Sequence, residues 1–275
     1  MIRGNSGCYL EILNDREIVK ISKDVSYSNR LLSQCKKQQE FNSFNKIDHI
    51  RSPLIFNQKQ EKGIFSFTME YCNISDFISF FAISDKNYLI YFIDKIIRLI
   101  DQYEKICEYK KIDFSVINNK FNSSLDSLTS ENDKFFLKAI FDKLIVEEIF
   151  IPIGICHGDL TLSNILFSNE RDIILIDFLD SFLETPLQDM VKLRQDTCFS
   201  WSTQLANQEY DQLKIKIILK YIDDKLQENF KNKEYYINYY KLFQFINLVR
   251  ALPYCQTNSV LYNFLINQIK NFLYE

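Results

Sequence analysis

The sequence is poor in the residues that dominate several common kinds of chain. Its 275 residues include five Gly, four Pro, one Trp and two His. So little Gly and Pro, beside abundant Ile, Lys, Asn, Phe and Tyr, argues against low-complexity disorder. A histidine-rich metal site is excluded, because His49 and His157 stand alone. Seven scattered Cys without a C-x-x-C pair argue against a disulfide framework or a zinc site and indicate reduced thiols.

Charge of one sign and long apolar runs are also lacking. The chain has 33 Lys and Arg against 36 Asp and Glu, a net charge of -3, which gives no electrostatic case for nucleic acid or an anionic membrane. No signal-peptide core and no membrane-length apolar run occur. We therefore expect a cytoplasmic protein, and its 47% apolar residues suffice for a real core. Its oligomeric state is not indicated.

One stretch, ICHGDLTLSNILFSNERDIILIDF, joins a polar loop to two short apolar strands. The loop contains Asp159 and Asn164, and the second strand ends at Asp177. In phosphoryl transfer, one Asp orients an acceptor hydroxyl, an Asn oxygen binds a metal ion, and a second Asp binds the ions that bridge the nucleotide phosphates. A lone Asp or Asn is usually a turn or capping residue. Three in this order favour the phosphoryl-transfer interpretation.

The runs HGDLTLSNILF and ILIDF resemble the catalytic segment of the aminoglycoside phosphotransferase and choline kinase superfamily. This resemblance implies an α+β, two-lobed, protein-kinase-like fold, with a small antiparallel β lobe over residues 1–73 and a larger, mainly helical lobe over 74–275. It also implies Mg²⁺ and ATP, with GTP as the alternative nucleotide. Protein kinases have Arg where Gly158 stands and Gly where Leu179 stands. Both departures favour the small-molecule branch.

The N-terminal residues predict two antiparallel strand pairs. Apolar alternation around Asn14-Asp15 indicates a hairpin from Cys8 to Ile21, and two further apolar runs flank the polar segment Asn57–Gly63. Lys20 lies on the first hairpin and, without the resemblance, is an ordinary solvated strand lysine. The resemblance makes it the lysine that binds the nucleotide phosphates and pairs with a helix carboxylate. In the predicted helix Ser28–Phe44, the only acid is Glu40, which becomes the expected partner.

The resemblance also implies further nucleotide contacts. Met69-Glu70-Tyr71-Cys72 is similar to a kinase hinge, in which the Glu70 carbonyl and the Cys72 N–H would face the adenine and Met69 would line the pocket. An ordinary buried strand end is the alternative. Ser6, in the turn Gly4–Gly7, would lie over the phosphates, although a plain surface turn is about as consistent with the sequence.

Beyond Asn73 the pattern becomes helical. The periodicity predicts helices over Asp76–Phe81, Asn87–Tyr109, Glu131–Ile149, Asn207–Asn229, Tyr235–Leu252 and Val260–Leu273. Polar Asn118–Ser130 is expected to be an insertion or mobile loop. His157 and Asp189 are expected to support the catalytic loop structurally. Asp180 and Glu184 are candidate substrate contacts.

The acceptor itself is left open by the sequence. Sugars, amino sugars or aminoglycosides, and choline or ethanolamine-like alcohols all fit a small hydroxylated substrate. Aromatic residues from Tyr235 to Phe245 could cage a quaternary ammonium, but core packing is the better interpretation at 15% aromatic content.

Three other functions are alternatives to a small-molecule kinase. A nucleotide-binding pseudokinase or scaffold is suggested by the abbreviated glycine turn, but Asp159, Asn164 and Asp177 are all present. A protein kinase is disfavoured, since the A-P-E segment is missing as well. A hydrolase is disfavoured because the sequence lacks the G-x-S-x-G elbow.

Overall fold

The computed structural model describes residues 2–3, 8–168, 170–206 and 209–272. Its strands are β1 Ile2–Arg3, β2 Cys8–Asn14, β3 Glu17–Ser22, β4 Ile50–Arg51, β5 Ile55–Glu61, β6 Ile64–Glu70, β7 Glu108–Ile112, β8 Ile149–Ile153, β9 Ile165–Phe167 and β10 Ile173–Leu175. Its helices are α1 Val25–Phe44, α2 Phe77–Ile83, α3 Lys86–Ile106, α4 Phe114–Asp126, α5 Glu131–Leu144, α6 Pro186–Thr197, α7 Gln212–Phe230, α8 Glu234–Cys255 and α9 Ser259–Phe272. The predicted α+β class is confirmed.

An antiparallel sheet in the order β1-β2-β3-β6-β5 forms the N-terminal part of the chain. Both predicted strand pairs are present, and Lys20 lies opposite Leu10 on β2 and Phe67 on β6. The predicted turn Asn57–Gly63 is shorter than expected, because β5 continues to Glu61. Most side chains of β5 are exposed, because this strand lies at the edge of the sheet, where polar residues are tolerated. The turn itself is Lys62-Gly63, both with positive φ, as a two-residue hairpin turn requires.

Helix α1 covers one face of this sheet. It starts after Asp24, whose carboxylate accepts the Tyr27 N–H at 2.9 Å and caps the helix. Leu31 and Cys35, one turn apart, pack into a core with residues of β2 and β6. The buried members of this core are Cys8, Leu31, Cys35, Phe65, Phe67 and Met69.

The predicted hairpin of the catalytic stretch is present as β9 and β10, with Ile173 opposite Phe167. Strand β4 pairs with β10 in parallel, a partner that the sequence did not indicate. Phe167 also stacks on Phe80 of α2, with ring centroids 4.3 Å apart and planes 6° from parallel. Buried contacts on several sides therefore fix the strands that precede Asp177.

Helix α8 packs against α4, α5, α6, α9 and β8. Tyr239 of this helix is half-buried and Tyr254 is exposed, whereas its other aromatic residues are buried as core, as expected. They include Tyr235, Tyr236, Tyr240, Phe243 and Phe245.

Two predictions for this region are wrong. Most of Asn118–Ser130 is the helix α4, because Ile117, Phe121 and Leu125 recur every fourth residue and bury one face. The helices predicted to reach Tyr109 and Ile149 end instead at Ile106 and Leu144. The residues that follow them form β7 and β8, which pair with each other.

The chain divides into two compact units. The first comprises Met1–Lys95 and His157–Ser181, and the second comprises Ile96–Cys156 and Phe182–Glu275. The sequence predicts a nucleotide-binding lobe over 1–73 and a catalytic and substrate-binding lobe over 74–275. This division by role remains a prediction, because the two units are defined by contacts alone. No helix within the described ranges has both the length and the apolarity needed to cross a membrane.

Candidate active site

The loop before β9 begins with a buried His157 whose hydrogen bonds fix its tautomer. Its Nε2 lies 2.9 Å from the Ile176 carbonyl, and the Asp159 N–H points to its Nδ1 at 3.3 Å. The ring packs on that of Phe178, with the two ring centroids 4.2 Å apart. Burial lowers the pKa of His157 to about 4, so the ring is neutral at pH 7. Nε2 therefore donates and Nδ1 accepts.

Asp159 and Asn164 contact each other directly. The Asn164 Nδ2 donates to the Asp159 backbone carbonyl at 2.8 Å and to its carboxylate Oδ2 at 3.1 Å. A 3₁₀ turn, Leu162–Asn164, produces this approach. The Asn164 carbonyl also accepts the Ile176 N–H at 3.0 Å, which ties the loop to the residue before Asp177. With its nitrogen engaged by Asp159, the Asn164 amide presents its oxygen as the remaining ligand.

Lys20 and Asp177 form an ion pair, with Nζ and Oδ1 2.7 Å apart. The lysine side chain is 5% exposed and the aspartate side chain 41%. Burial alone would lower the pKa of Lys20, but the Asp177 carboxylate outweighs it and raises that pKa. The Lys20 charge in turn lowers the pKa of Asp177. Both groups are therefore charged at neutral pH.

Asp177 has a backbone φ of +58°, which is unusual for a residue other than Gly. Such strain costs on the order of 1–3 kcal/mol and is found where the surrounding structure imposes it, often at functional sites.

The predicted Lys20–Glu40 ion pair is wrong, since Lys20 pairs with Asp177. Helix α1 buries Gln34 and Gln38, one turn apart, and Glu40 lies about 200° around the helix from Gln38, on its exposed outer face. The helix register therefore directs Glu40 away from Lys20.

The predicted hinge follows β6 directly. Met69 is buried in the core beneath the sheet. The Glu70 carboxylate accepts two hydrogen bonds from Arg51 of β4, at 2.5 and 2.8 Å, and these bonds lower the pKa of Glu70. Its side chain thus holds the segment in place. Within the described residues the Cys72 N–H has no backbone partner, while burial raises the pKa of the Cys72 thiol to about 11.

Of the other predicted site residues, one is in the first unit, two are in the second unit, and one is not described. Asp180 is exposed in the first unit. Glu184, in the second unit, accepts a hydrogen bond from the Cys156 thiol at 3.1 Å. Asp189 is fully buried in the first turn of α6. Ser6 is outside the described residues. The roles predicted for all four remain predictions.

A magnesium ion fits the donor set of the first unit. No group of three or more His, Cys, Asp and Glu side chains that could hold a metal is found in the described part of the chain. Mg²⁺ is commonly held by only one or two protein oxygens together with substrate phosphates and water. The Asn164 amide oxygen and the Asp177 Oδ2, for which the described residues supply no hydrogen-bond donor, are oxygens of this kind.

The sequence is similar to the phosphotransferase enzyme family over residues 126–214, which include the loop, the hairpin and Asp177. The structure is similar to the GDP and kanamycin complex of APH(2")-IIia, with a TM-score of 0.67, 12% identity, and coverage of 99% of this chain and 91% of that one. The chain has the aminoglycoside phosphotransferase fold. The resemblance inferred from the catalytic segment is thereby confirmed.

Two further structures share the phosphotransferase fold. The streptomycin-ATP-APH(2")-IIa ternary complex gives a TM-score of 0.58 at 13% identity, covering 100% of this chain and 90% of that one. The ternary complex of APH(4)-Ia with AMP-PNP and hygromycin B gives 0.62 at 8% identity, covering 97% and 93%. No curated protein is significantly similar in sequence. Together the comparisons show the phosphotransferase fold over the chain and similarity to the phosphotransferase enzyme family over residues 126–214.

Two contacts at this site escaped the sequence interpretation. Arg51 binds Glu70 at the predicted hinge, and Lys37 of α1 donates to the Leu179 carbonyl at 2.7 Å. Lys37 lies one helical turn after buried Gln34 and one turn before buried Phe41, so the helix period could have placed it near the inner face. Neither contact partner could be found from local sequence, because both lie on distant segments.

Proposed function

We propose that this protein is a Mg²⁺-dependent phosphotransferase that moves the γ-phosphoryl group of ATP to a hydroxyl of a small metabolite. GTP is the alternative donor. The acceptor classes are sugars, amino sugars or aminoglycosides, and choline or ethanolamine-like alcohols. The observation that carries the proposal is the Asn164–Asp159 hydrogen bond, which fixes the base and leaves the Asn164 oxygen for a cation beside Asp177.

In the proposed reaction, Asp159 orients the acceptor hydroxyl and accepts its proton. The acceptor oxygen forms a bond to the γ-phosphorus as the bond to the bridging β,γ-oxygen breaks, and ADP leaves with that oxygen. The Asn164 Nδ2–H holds the Asp159 carboxylate in one orientation, which is the positioning that such a loose transition state needs.

Lys20 and Asp177 would serve the nucleotide. Lys20 would bind the α and β phosphates, while Asn164 and Asp177 would hold Mg²⁺, which neutralises phosphate charge when bound. Met69 and the backbone of Glu70 and Cys72 would bind the base.

The test is ADP release by purified protein with ATP, Mg²⁺ and a panel of the acceptor classes. We expect Asp159→Asn to lower kcat by about 10²–10⁴-fold, the usual contribution of a positioned base. Asp177→Asn should abolish turnover. Asp126→Asn, which changes an exposed carboxylate of α4, is the matched control and should behave as wild type. Undiminished turnover in Asp177→Asn would refute the assignment.

A pseudokinase is the second candidate, and one observation favours it. Helix α1 presents no carboxylate to Lys20, which pairs with Asp177. Thermal-shift titration with ATP, with and without Mg²⁺, separates nucleotide binding from no binding. Stabilisation by the nucleotide with no ADP release over the whole acceptor panel would select the pseudokinase.

A further inference from the structure

Lys37 of helix α1 reaches the backbone where two parts of the candidate site meet. Its Nζ donates to the Leu179 carbonyl at 2.7 Å. The same carbonyl faces Gly158, where a Cβ would lie 2.0 Å from the Leu179 oxygen and 3.2 Å from the Lys37 Nζ. One ammonium group, one carbonyl and one glycine are therefore in close contact.

These backbone segments carry the two aspartates of the proposed reaction. Gly158 immediately precedes Asp159, and Leu179 follows Asp177 by two residues. The Leu179 N–H also donates to the His157 carbonyl at 3.0 Å, so the segments are joined on both sides of the Leu179 peptide. A shift of the Leu179 carbonyl would move Gly158, and Asp159 with it.

Helix α1 is anchored to this point by a second contact. The Phe41 ring, one turn after Lys37, lies 5.1 Å from the ring of Phe178. A charge-assisted hydrogen bond and an aromatic contact thus join the inner face of α1 to the segment after Asp177.

We propose that Lys37 is a positioning residue of this site, whose ammonium group holds the Leu179 carbonyl and thereby fixes the separation of Asp159 and Asp177. The inference rests on the proposed function for its effect on turnover. Lys37 does not touch the nucleotide in this role. Its charge also contributes, after burial, to the lowered pKa of His157, whose neutral ring accepts the Asp159 N–H.

The main test compares three variants of the full chain. Lys37→Met keeps the length of the side chain but removes its charge and donors, and Lys37→Arg restores both. Lys36→Met changes the adjacent, exposed lysine of the same helix.

We expect Lys37→Met to lower kcat by about 10–100-fold, the effect of losing a charge-assisted hydrogen bond, with the KM for ATP within about threefold of wild type. Lys37→Arg should recover most of kcat, and Lys36→Met should match wild type. Equal kcat in Lys37→Met and Lys36→Met would overturn the inference. A raised KM for ATP at unchanged kcat would also overturn it, because Lys37 would then act on the nucleotide.

Amide hydrogen exchange provides a readout that needs no turnover. The amides of Asp159 and Leu179 should exchange faster in Lys37→Met than in Lys36→Met, with α8 unchanged in both. If the Asp159 and Leu179 amides exchange faster in Lys37→Met while the wild-type protein releases no ADP, the proposed function is refuted and the positioning role of Lys37 is supported. Identical exchange in the two variants would refute the positioning role of Lys37, whatever the activity.

Discussion

Gly158 allows a quantitative test of how tightly the site is built. In Gly158→Ala the new Cβ would lie 2.0 Å from the Leu179 oxygen, whereas ordinary contacts begin at 3.4 Å, so backbone must move by about 1.4 Å. The φ of +89° adds about 1–2 kcal/mol of strain for any residue with a Cβ. The displacement also breaks the hydrogen bonds of the Leu179 carbonyl to Lys37 and of the Leu179 N–H to His157.

The lost bonds and the strain together predict destabilisation of about 4 kcal/mol, given about 1 kcal/mol for a neutral and 2 for a charge-assisted hydrogen bond. For a chain of this size Tm should fall by about 10 °C. Because Asp159 is adjacent, kcat should drop by about 10²-fold or more in the protein that remains folded. Urea denaturation, thermal unfolding and ADP release measure the three effects.

The matched control is Gly63→Ala. Gly63 also has positive φ, at +82°, but its Cβ would meet only the side chain of Val25, at 3.2 Å. This variant should lose about 1 kcal/mol and no activity. If Gly158→Ala and Gly63→Ala have the same Tm and kcat, the crowding at Leu179 does not constrain the site and the reasoning fails.

Two other perturbations test the charges at the site. Burial lowers the pKa of His157 from 6.5 to about 4, so between these pH values the unfolded chain binds a proton that the folded chain does not; the free energy of unfolding should fall by about 3 kcal/mol from pH 6.5 to pH 4. Urea titrations should show a smaller loss in His157→Gln, and an equal loss would contradict the assignment. Asp177→Asn should destabilise the fold more than Lys20→Met, because it leaves a lysine 5% exposed without its partner, whereas the aspartate is 41% exposed and remains hydrated. Equal or reversed losses in urea denaturation would contradict this.

The parts of the fold that sequence analysis predicted are those with local signals. The hairpins followed from apolar alternation around short turns, and the loop from Asp159 to Asp177 followed from residue types at fixed spacing. Helix α4 was missed because its polar residues suggested a loop, although Ile117, Phe121 and Leu125 had helical spacing. Strands β4, β7 and β8 were missed because short strands are stabilised by partners that are distant in sequence.

The same distinction applies to the site. Asp159 and Asn164 are five residues apart, so one turn brings them together and their contact could be anticipated. The predicted helix partner of Lys20 depends on the rotation of α1 about its axis. An error in that rotation exchanges a residue that faces the sheet for one that faces solvent. Glu40 is the expected partner only because it is the sole acid in that helix, whereas burial decides which residues face the sheet.

The absence of a helix carboxylate beside Lys20, within the part of α1 that the structure describes, makes Lys20 and Asp177 depend on each other. Each holds the other in place directly, so removing either one leaves little for the second removal to disrupt. A double-mutant cycle of Lys20→Met and Asp177→Asn should therefore give a coupling free energy of about 1–2 kcal/mol in urea denaturation, below the value for a fully buried pair because Asp177 is partly exposed. The corresponding cycle of Lys20→Met with Glu40→Gln should be additive within about 0.5 kcal/mol, since Glu40 is exposed and Lys20 pairs elsewhere. Coupling between Lys20 and Glu40 as large as that between Lys20 and Asp177 would show that helix α1 supplies the carboxylate in solution, and the resemblance to kinases would then hold at this position as well.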